Sequence, residues 1–313
     1  MGRVILMTPF SRMEITGGIK TNYQHAELLT ELGFDACIYQ PDAGWTAEVV
    51  QIQCPRLVGE KLALASDDVV VFPEVLQGVS GEFARASSPA TKVLFCQNQY
   101  YAVNALPADA SYRALGFTHF ACSSTIAKGF LQRVFALPEV SVLPCYIDRD
   151  IFFPRTKVMQ IAVVPRKLPV EARFIQKLFK LKYAHLSSLP WQFIESKTEA
   201  ETAEIFGKSS ILLALNARES FGLVPIEAMA SGCIVVGFHG YGGLEYATPE
   251  NGHWFSPEYM EEVADALAGV VDALERDDPS LVRMREAGAV TAARYTRQHT
   301  RDALSRFYQG ICA

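Results

Sequence analysis

The sequence predicts an α/β protein of two doubly wound parallel-sheet domains. Short apolar runs of strand length alternate with longer amphipathic stretches of helix length. Strand–helix–strand alternation implies a parallel sheet covered on both faces. The pattern runs to about residue 144 and begins again near residue 159. The chain has 313 residues, and domains usually hold roughly 100–200, so two are expected.

In the first half the strand-like runs are Val4–Thr8, Asp35–Gln40, Asp68–Phe72, Lys92–Cys96, His119–Ser123 and Val140–Pro144. Helical patterns lie between them at Ile19–Gly33 and Ser124–Pro138. In the first helix Tyr23, Ala26, Leu29 and Leu32 recur at three-residue steps, and Gly33 is the stop signal. After the segment Leu143–Pro154 the second half reads strand Met159–Pro165, helix Pro169–Tyr183, strand Trp191–Ser196 and helix Glu199–Ser209. Strand Ile211–Asn216, helix Val224–Gly232 and strand Cys233–Phe238 follow, and long helices close the chain from Pro257 onward. The expected domains are residues 1–153 and 154–313, with the last helix crossing back.

Composition narrows the class. Half the residues are hydrophobic, a fifth are charged and the net charge is −5, which fits a globular protein with a real core. No Lys/Arg-rich run suggests a nucleic-acid face. No apolar run reaches the roughly 18–20 residues of a membrane span. The N-terminal Met-Gly lacks the Ser or Thr that a myristoylation signal wants at position 6, where Leu6 stands. Seven scattered cysteines without a CxxC read as reduced core residues of a cytoplasmic protein. The six histidines show no metal-ligand spacing, and Asp148 and Asp150 lie in the segment between the halves, so no metal is expected.

Ligands of doubly wound sheets bind beyond the carboxyl ends of the strands, so the loops there carry the candidates. Gly17 and Gly18 precede the first helix, where they either let backbone N–H groups approach a phosphate or form a flexible turn. "ARESFGL" joins a strand to a helix with Pro225 in its first turn. Ser220, Phe221, Gly222 and Leu223 then offer backbone N–H groups at a helix N-terminus, a ready anion site. Glu219 stands before that site, and Glu227, about one turn inside an otherwise apolar helix, could accept from a ribose diol. A second Gly-rich stretch with Gly240, Gly242, Gly243 and Glu245 reads equally as a ligand cradle or a turn, with Glu245 opening a short helix. Arg166 and Lys167 follow the first strand of the second half, and Arg173 lies one or two turns on. Cations there suit a diphosphate leaving group, or form a solvated basic turn.

Together "ESFGLVPIE" and the run "EAMASGCIVVGFHGYGGLEYATPENG" resemble the retaining glycosyltransferases of the GT-B fold, specifically the large family 4, the glycosyl transferases of group 1. "GGIKTNYQHAELLTELGFD" and "VLPCYIDRDIFFP" are similar to that family's first loop and helix and to its inter-domain segment. The resemblance implies two Rossmann-like domains facing across a cleft, the first on the acceptor side and the second on the donor side. It also implies an enzyme that moves a hexose-type unit, with retention, from a nucleotide-diphospho-sugar to a glycan or lipid-linked acceptor, as in bacterial surface polysaccharide synthesis. Glu219 would meet the transferred sugar and Glu227 the donor ribose, with Ser220–Leu223 receiving the diphosphate and Gly17-Gly18 closing over it. Arg166 fits the family's diphosphate arginine. The usual Lys-Gly pair is absent from its place, and Lys167 or Arg173 would substitute. Gln97 and Asn98 stand where many members carry a histidine near the sugar. No metal or other cofactor is implied, nor any nucleic acid, and membrane contact would be peripheral, at the inner face. Two alternatives stay open: a sugar-nucleotide epimerase of similar shape, and a non-catalytic nucleotide-sugar-binding subunit.

Overall fold

The computed structural model describes residues 2–8, 16–40, 54–59, 61–76, 78–106 and 110–312. The chain divides into two compact units, Met1–Tyr146 with Arg297–Ala313, and Ile147–Thr296.

The first unit is built on β1 (Val4–Met7), α1 (Gly17–Glu31), β2 (Ala36–Gln40), β3 (Arg56–Val58), β4 (Val69–Pro73), α2 (Gly78–Arg85), β5 (Thr91–Cys96), α3 (Gln99–Ala105), β6 (Phe117–Cys122), α4 (Thr125–Val134) and β7 (Ser141–Val142). Its seven strands run β3-β2-β1-β4-β5-β6-β7, and each adjacent pair is parallel. The strand alternation explains the unbroken apolar runs. Val4, Leu6, Val69, Val71, Val93 and Phe95 enter one core with α1 and the terminal helix Arg297–Gln309. Ile5, Met7, Val70, Phe72, Leu94 and Cys96 enter the opposite one. Both sheet faces are thus covered. Thr16 caps α1 by accepting the Ile19 N–H at 3.2 Å, so the Gly pair lies in the helix's first turn and not ahead of it. Ser124 caps α4 in the same way, 3.1 Å from the Ala127 nitrogen.

The second unit holds β8 (Val158–Val163), α5 (Pro169–Lys182), β9 (Trp191–Phe193), α6 (Glu199–Lys208), β10 (Ser209–Leu215), α7 (Leu223–Ala230), β11 (Ile234–Phe238), α8 (Gly240–Gly243), β12 (His253–Phe255), α9 (Met260–Glu275) and α10 (Pro279–Ala292). The five strands run β12-β11-β10-β8-β9, all neighbours parallel. Ile211, Leu213, Ile234 and Val236 face one core, and Leu212, Ala214 and Val235 the other. Pro169 opens α5, and a reciprocal Thr198–Glu201 capping box opens α6. The Asp148–Asp150 pair makes a turn, with Asp148 accepting the Asp150 N–H at 2.9 Å. The seven cysteines are free and those at 37, 96, 122, 145 and 233 are buried. Among the described residues no helix is long and apolar enough to cross a membrane.

Among the described residues, β3, β12, α2 and α3 are elements that the sequence reading did not mark. β3 and β12 are three-residue edge strands, too short for a period of two to register. α2 contains two glycines, and α3 begins immediately behind β5 in a polar stretch.

His25, on α1, is 1% exposed and packs on Phe95 with ring centroids 5.0 Å apart. Burial pushes its imidazole down to about 4, against a smaller opposing effect of its bond to the Pro144 carbonyl. Above about pH 6.5 the folded and unfolded chains both hold it neutral. As pH falls from about 6.5 to 4 the unfolded chain takes the proton first, so stability is lost across that window by about 3 kcal/mol. A melting series against pH should show His25→Gln losing less stability than the unaltered protein over that range. Equal slopes would remove His25 as the cause.

Candidate active site

In the second unit the chain lays β9 on one side of β8, then β10, β11 and β12 on the other. The strand order therefore reverses between β8 and β10, where doubly wound sheets place their ligands. The loop after β8 is a tight turn closed by the Leu168 N–H on the Pro165 carbonyl at 2.9 Å, with Arg166 and Lys167 at its centre. The loop after β10 runs from Asn216 to Gly222 and delivers α7. The two loops meet through an ion pair: Lys167 Nζ lies 2.8 Å from Glu219 Oε1, with both side chains about a quarter exposed, at 26% and 24%. Arg166 is exposed beside it. The two loops bring together a carboxylate, two cations and a helix N-terminus. This group can bind an anion through the cations and the first N–H groups of α7, and hydroxyls through the carboxylate.

The Glu219 loop is braced from three directions. Asn216 Nδ2 donates to the Tyr246 hydroxyl at 3.0 Å, which in turn donates to the Gly222 carbonyl at 3.0 Å. Burial, helped by the charges of Tyr295 and Glu219, holds the Tyr246 hydroxyl protonated far above the usual phenol range, so it remains a donor. Phe221 is buried and meets Tyr295 and Tyr246 edge-on at 4.8 and 5.4 Å. Its side chain is therefore an anchor, and only its backbone faces the loop's chemistry. Gly242 donates its N–H to the Glu219 carbonyl at 3.0 Å. A Cβ on Gly242 would stand 2.6 Å from the Glu219 oxygen and 2.6 Å from the Phe221 nitrogen. Gly240, at φ +57, lies against the Asn216 carbonyl in the same manner. The Gly-rich stretch is thus a helical turn, α8, pressed against the Glu219 loop. Glu245 follows that turn instead of opening a helix, and Gly243 packs on His239.

Of the remaining sequence candidates, Glu227 sits on α7 at 7% exposure between core residues Ile226 and Ala228. Leu223 begins α7 and Ser220 is buried in the loop. Arg173 does not join Glu219. Its guanidinium lies 3.6 Å over the Phe193 ring at the end of β9 and 3.8 Å from Glu195. Lys167 is the cation that reaches Glu219.

The first unit has its own reversal, between β1 and β4. Residues 9–15 of the loop after β1 lie outside the described residues. Gln97 donates from Nε2 to Asn22 Oδ1 at 2.9 Å and from its backbone to Glu74 Oε2 at 2.9 Å. A Cβ on Gly18 would lie 3.2 Å from Gln97 Oε1, so the second glycine lets α1 pass close to this amide. Asn98 caps α3, accepting the Tyr100 N–H at 3.0 Å. Its side-chain oxygen therefore serves the backbone.

Sequence reasoning passed over Glu74, Asn22, Asn216 and Tyr246. For Glu74 and Asn216 a signal was present. Each is the first polar residue after an apolar run that ends a strand, β4 and β10. Each strand borders its sheet's reversal point.

Two doubly wound parallel sheets of this kind are the architecture of the GT-B fold, and an anion-ready helix N-terminus behind a carboxylate suits a glycosyltransferase of that fold. Residues 176–290 match the family model described as "Glycosyl transferases group 1", so the second unit carries a group 1 glycosyltransferase domain. The chain is 28% identical to an alpha-1,6-glucosyltransferase of Actinobacillus pleuropneumoniae serotype 7 (strain AP76) over 239 residues, 74% of this chain and 72% of that protein. It is 30% identical to a D-inositol 3-phosphate glycosyltransferase of Corynebacterium urealyticum over 122 residues, 38% of this chain and only 28% of that protein's length. A crystal structure of a glycosyltransferase from Rickettsia africae has the same fold, with a TM-score of 0.72 at 14% identity, covering 99% of this chain and 98% of that one. The chain is a glycosyltransferase.

Proposed function

We propose that this enzyme transfers a glucose-type hexose from a nucleoside-diphospho-sugar to a glycan or lipid-linked acceptor, with retention of anomeric configuration, as in the assembly of a bacterial surface polysaccharide. The observation that carries the reading is the 2.8 Å Lys167–Glu219 pair beside the N-terminus of α7. The relative named alpha-1,6-glucosyltransferase supports a glucosyl unit. The relatives with transferase names give the epimerase and binding-subunit readings no support.

In this reading Lys167 holds the Glu219 carboxylate in place and lends its positive charge to the diphosphate. Arg166 and the backbone N–H groups of Gly222 and Leu223 receive the charge that grows on the leaving group. Fixed cations and dipoles thereby supply the stabilisation, with no metal assigned a step. Glu219 accepts from hydroxyls of the sugar, and Glu227 from the donor ribose. The departing diphosphate offsets the positive charge developing on the sugar ring. The protein would act on the cytoplasmic side of a membrane.

A thermal-shift panel of nucleoside-diphospho-sugars tests the donor, since a ligand bound only by the folded chain raises its melting temperature. One or a few donors, including a glucosyl donor, should stabilise selectively. NMR of the product formed on an added saccharide acceptor should then show the donor's anomeric configuration. A panel without any shift, or an inverted product, would sink the reading.

A further inference from the structure

Helix α5 turns an unusual face to solvent. Val170, Phe174 and Leu181 are 75%, 53% and 72% exposed. At 3.6 residues per turn these positions, with Lys177, fall within an arc of about 60°. Arg173 and Lys180 border the same arc on one side, and both are exposed. The helix carries a single carboxylate, Glu171, which falls about 60° beyond the stripe's edge, on the side away from Arg173 and Lys180. Its last cation, Lys182, points to the far flank, where it pairs with Glu261 and Asp265 at 2.6 and 2.7 Å.

The opposite face is an ordinary core face. Ala172, Ile175 and Phe179 are fully buried against the sheet. So α5 is apolar on two sides, and the outer stripe packs on nothing in its own fold. Exposed apolar residues scattered singly need no explanation, but a three-turn stripe with a cationic border does. Charge says what would cover it. The whole chain carries a net charge of −5, yet this face presents three cations. Arg173 lies near Glu195, and neither Lys177 nor Lys180 forms an ion pair among the described residues. Aliphatic and aromatic side chains flanked by Lys and Arg on one helix face suit the interface of an anionic bilayer. There the apolar groups enter the acyl boundary and the cations meet the headgroups.

We propose that the outer face of α5 docks the enzyme on an anionic lipid surface. The apolar stripe supplies adhesion and Arg173, Lys177 and Lys180 supply the preference for negative headgroups. Each cation held at such a surface raises binding by roughly fivefold, and salt weakens that part.

Co-sedimentation of the full chain with vesicles tests this. One set is phosphatidylcholine alone and the other contains phosphatidylglycerol. The protein should bind the phosphatidylglycerol vesicles at least about tenfold more tightly, less so at high salt. The triple change Val170→Ser, Phe174→Ser, Leu181→Ser should abolish sedimentation with both. Lys177→Glu with Lys180→Glu should remove the preference for phosphatidylglycerol, with the melting temperature unchanged in each variant. Should the triple variant melt early, the charge pair alone still decides. Absence of wild-type binding to anionic vesicles at low salt, or binding that both variants retain, overturns the proposal. So does sedimentation velocity showing a dimer that the stripe variant dissociates, because the face would then belong to a second copy of the chain. The outcome is independent of which sugar the enzyme transfers.

Discussion

Glu219→Gln should lower the transfer rate by about two to three orders of magnitude while leaving the fold and the donor-induced thermal shift nearly unchanged. Among the described residues the Glu219 carboxylate pairs with Lys167 at 2.8 Å, and each side chain is about a quarter exposed, at 24% and 26%. A pair that open to solvent contributes at most about 1 kcal/mol to stability. A large activity loss therefore cannot come from unfolding. Glutamine keeps the size and one acceptor oxygen but loses the charge that the developing cationic sugar would feel. Lys167→Met separates the partners' roles. It should raise KM for the donor and lower kcat, because it removes a cation from the diphosphate and leaves Glu219 without its guide. Steady-state kinetics on both variants, with melting curves alongside, make the check. A Glu219→Gln enzyme turning over within about threefold of the unaltered one would take the carboxylate out of the reaction.

The core strands were legible because burial on both faces gives each a run of consecutive apolar residues. β1, β4 and β11 read as continuous apolar runs, β5 and β10 as apolar runs behind two polar residues, and all were found within a residue or two. The edges were not. β3 and β12 are only half-buried or exposed, and three residues carry too little pattern. The β10–α7 loop was legible for a different reason. Gly222, Pro225 and the two glutamates have few structural uses in an apolar segment, so their chemistry stood out. What braces that loop was hidden. Tyr246 lies 24 residues beyond Gly222 and Asn216 lies 30 before Tyr246, so no local spacing links them. The choice between Lys167 and Arg173 also needed three dimensions. Both follow β8, but the tight turn at Pro165–Leu168 sends Lys167 toward β10, while the helical Arg173 lies over Phe193 on β9. The Gly-rich stretch was ambiguous because a glycine that lets a ligand approach and one that lets backbone approach look the same in sequence. At Gly242 the approaching group is the Glu219–Phe221 backbone.

Gly222→Ala should destabilise the second unit by about 1–3 kcal/mol, lower its melting temperature on the order of 5 °C and weaken donor binding. Two separate causes act at this residue. Its φ of +84° is a conformation that a Cβ disfavours. The added Cβ would also stand 2.3 Å from Asn216 Nδ2, the atom that donates to Tyr246. Relief requires either the loop or Asn216 to move, and either movement breaks the Asn216–Tyr246–Gly222 relay that aims the first N–H groups of α7. A double-mutant cycle with Asn216→Ala divides the two causes. Asn216→Ala alone should cost about 1–2 kcal/mol, through the hydrogen bond it removes from the buried hydroxyl. In the double variant the clash is gone, leaving the backbone cost and the lost hydrogen bond, so the pair should be less damaging than the sum of its parts by about 1 kcal/mol or more. Strict additivity would mean that the contact is not felt and that Gly222 is needed for its backbone conformation alone. A Gly222→Ala protein that melts and binds donor like the unaltered one would show that α7 does not begin where the relay holds it, and the anion site would have to be sought elsewhere in the loop.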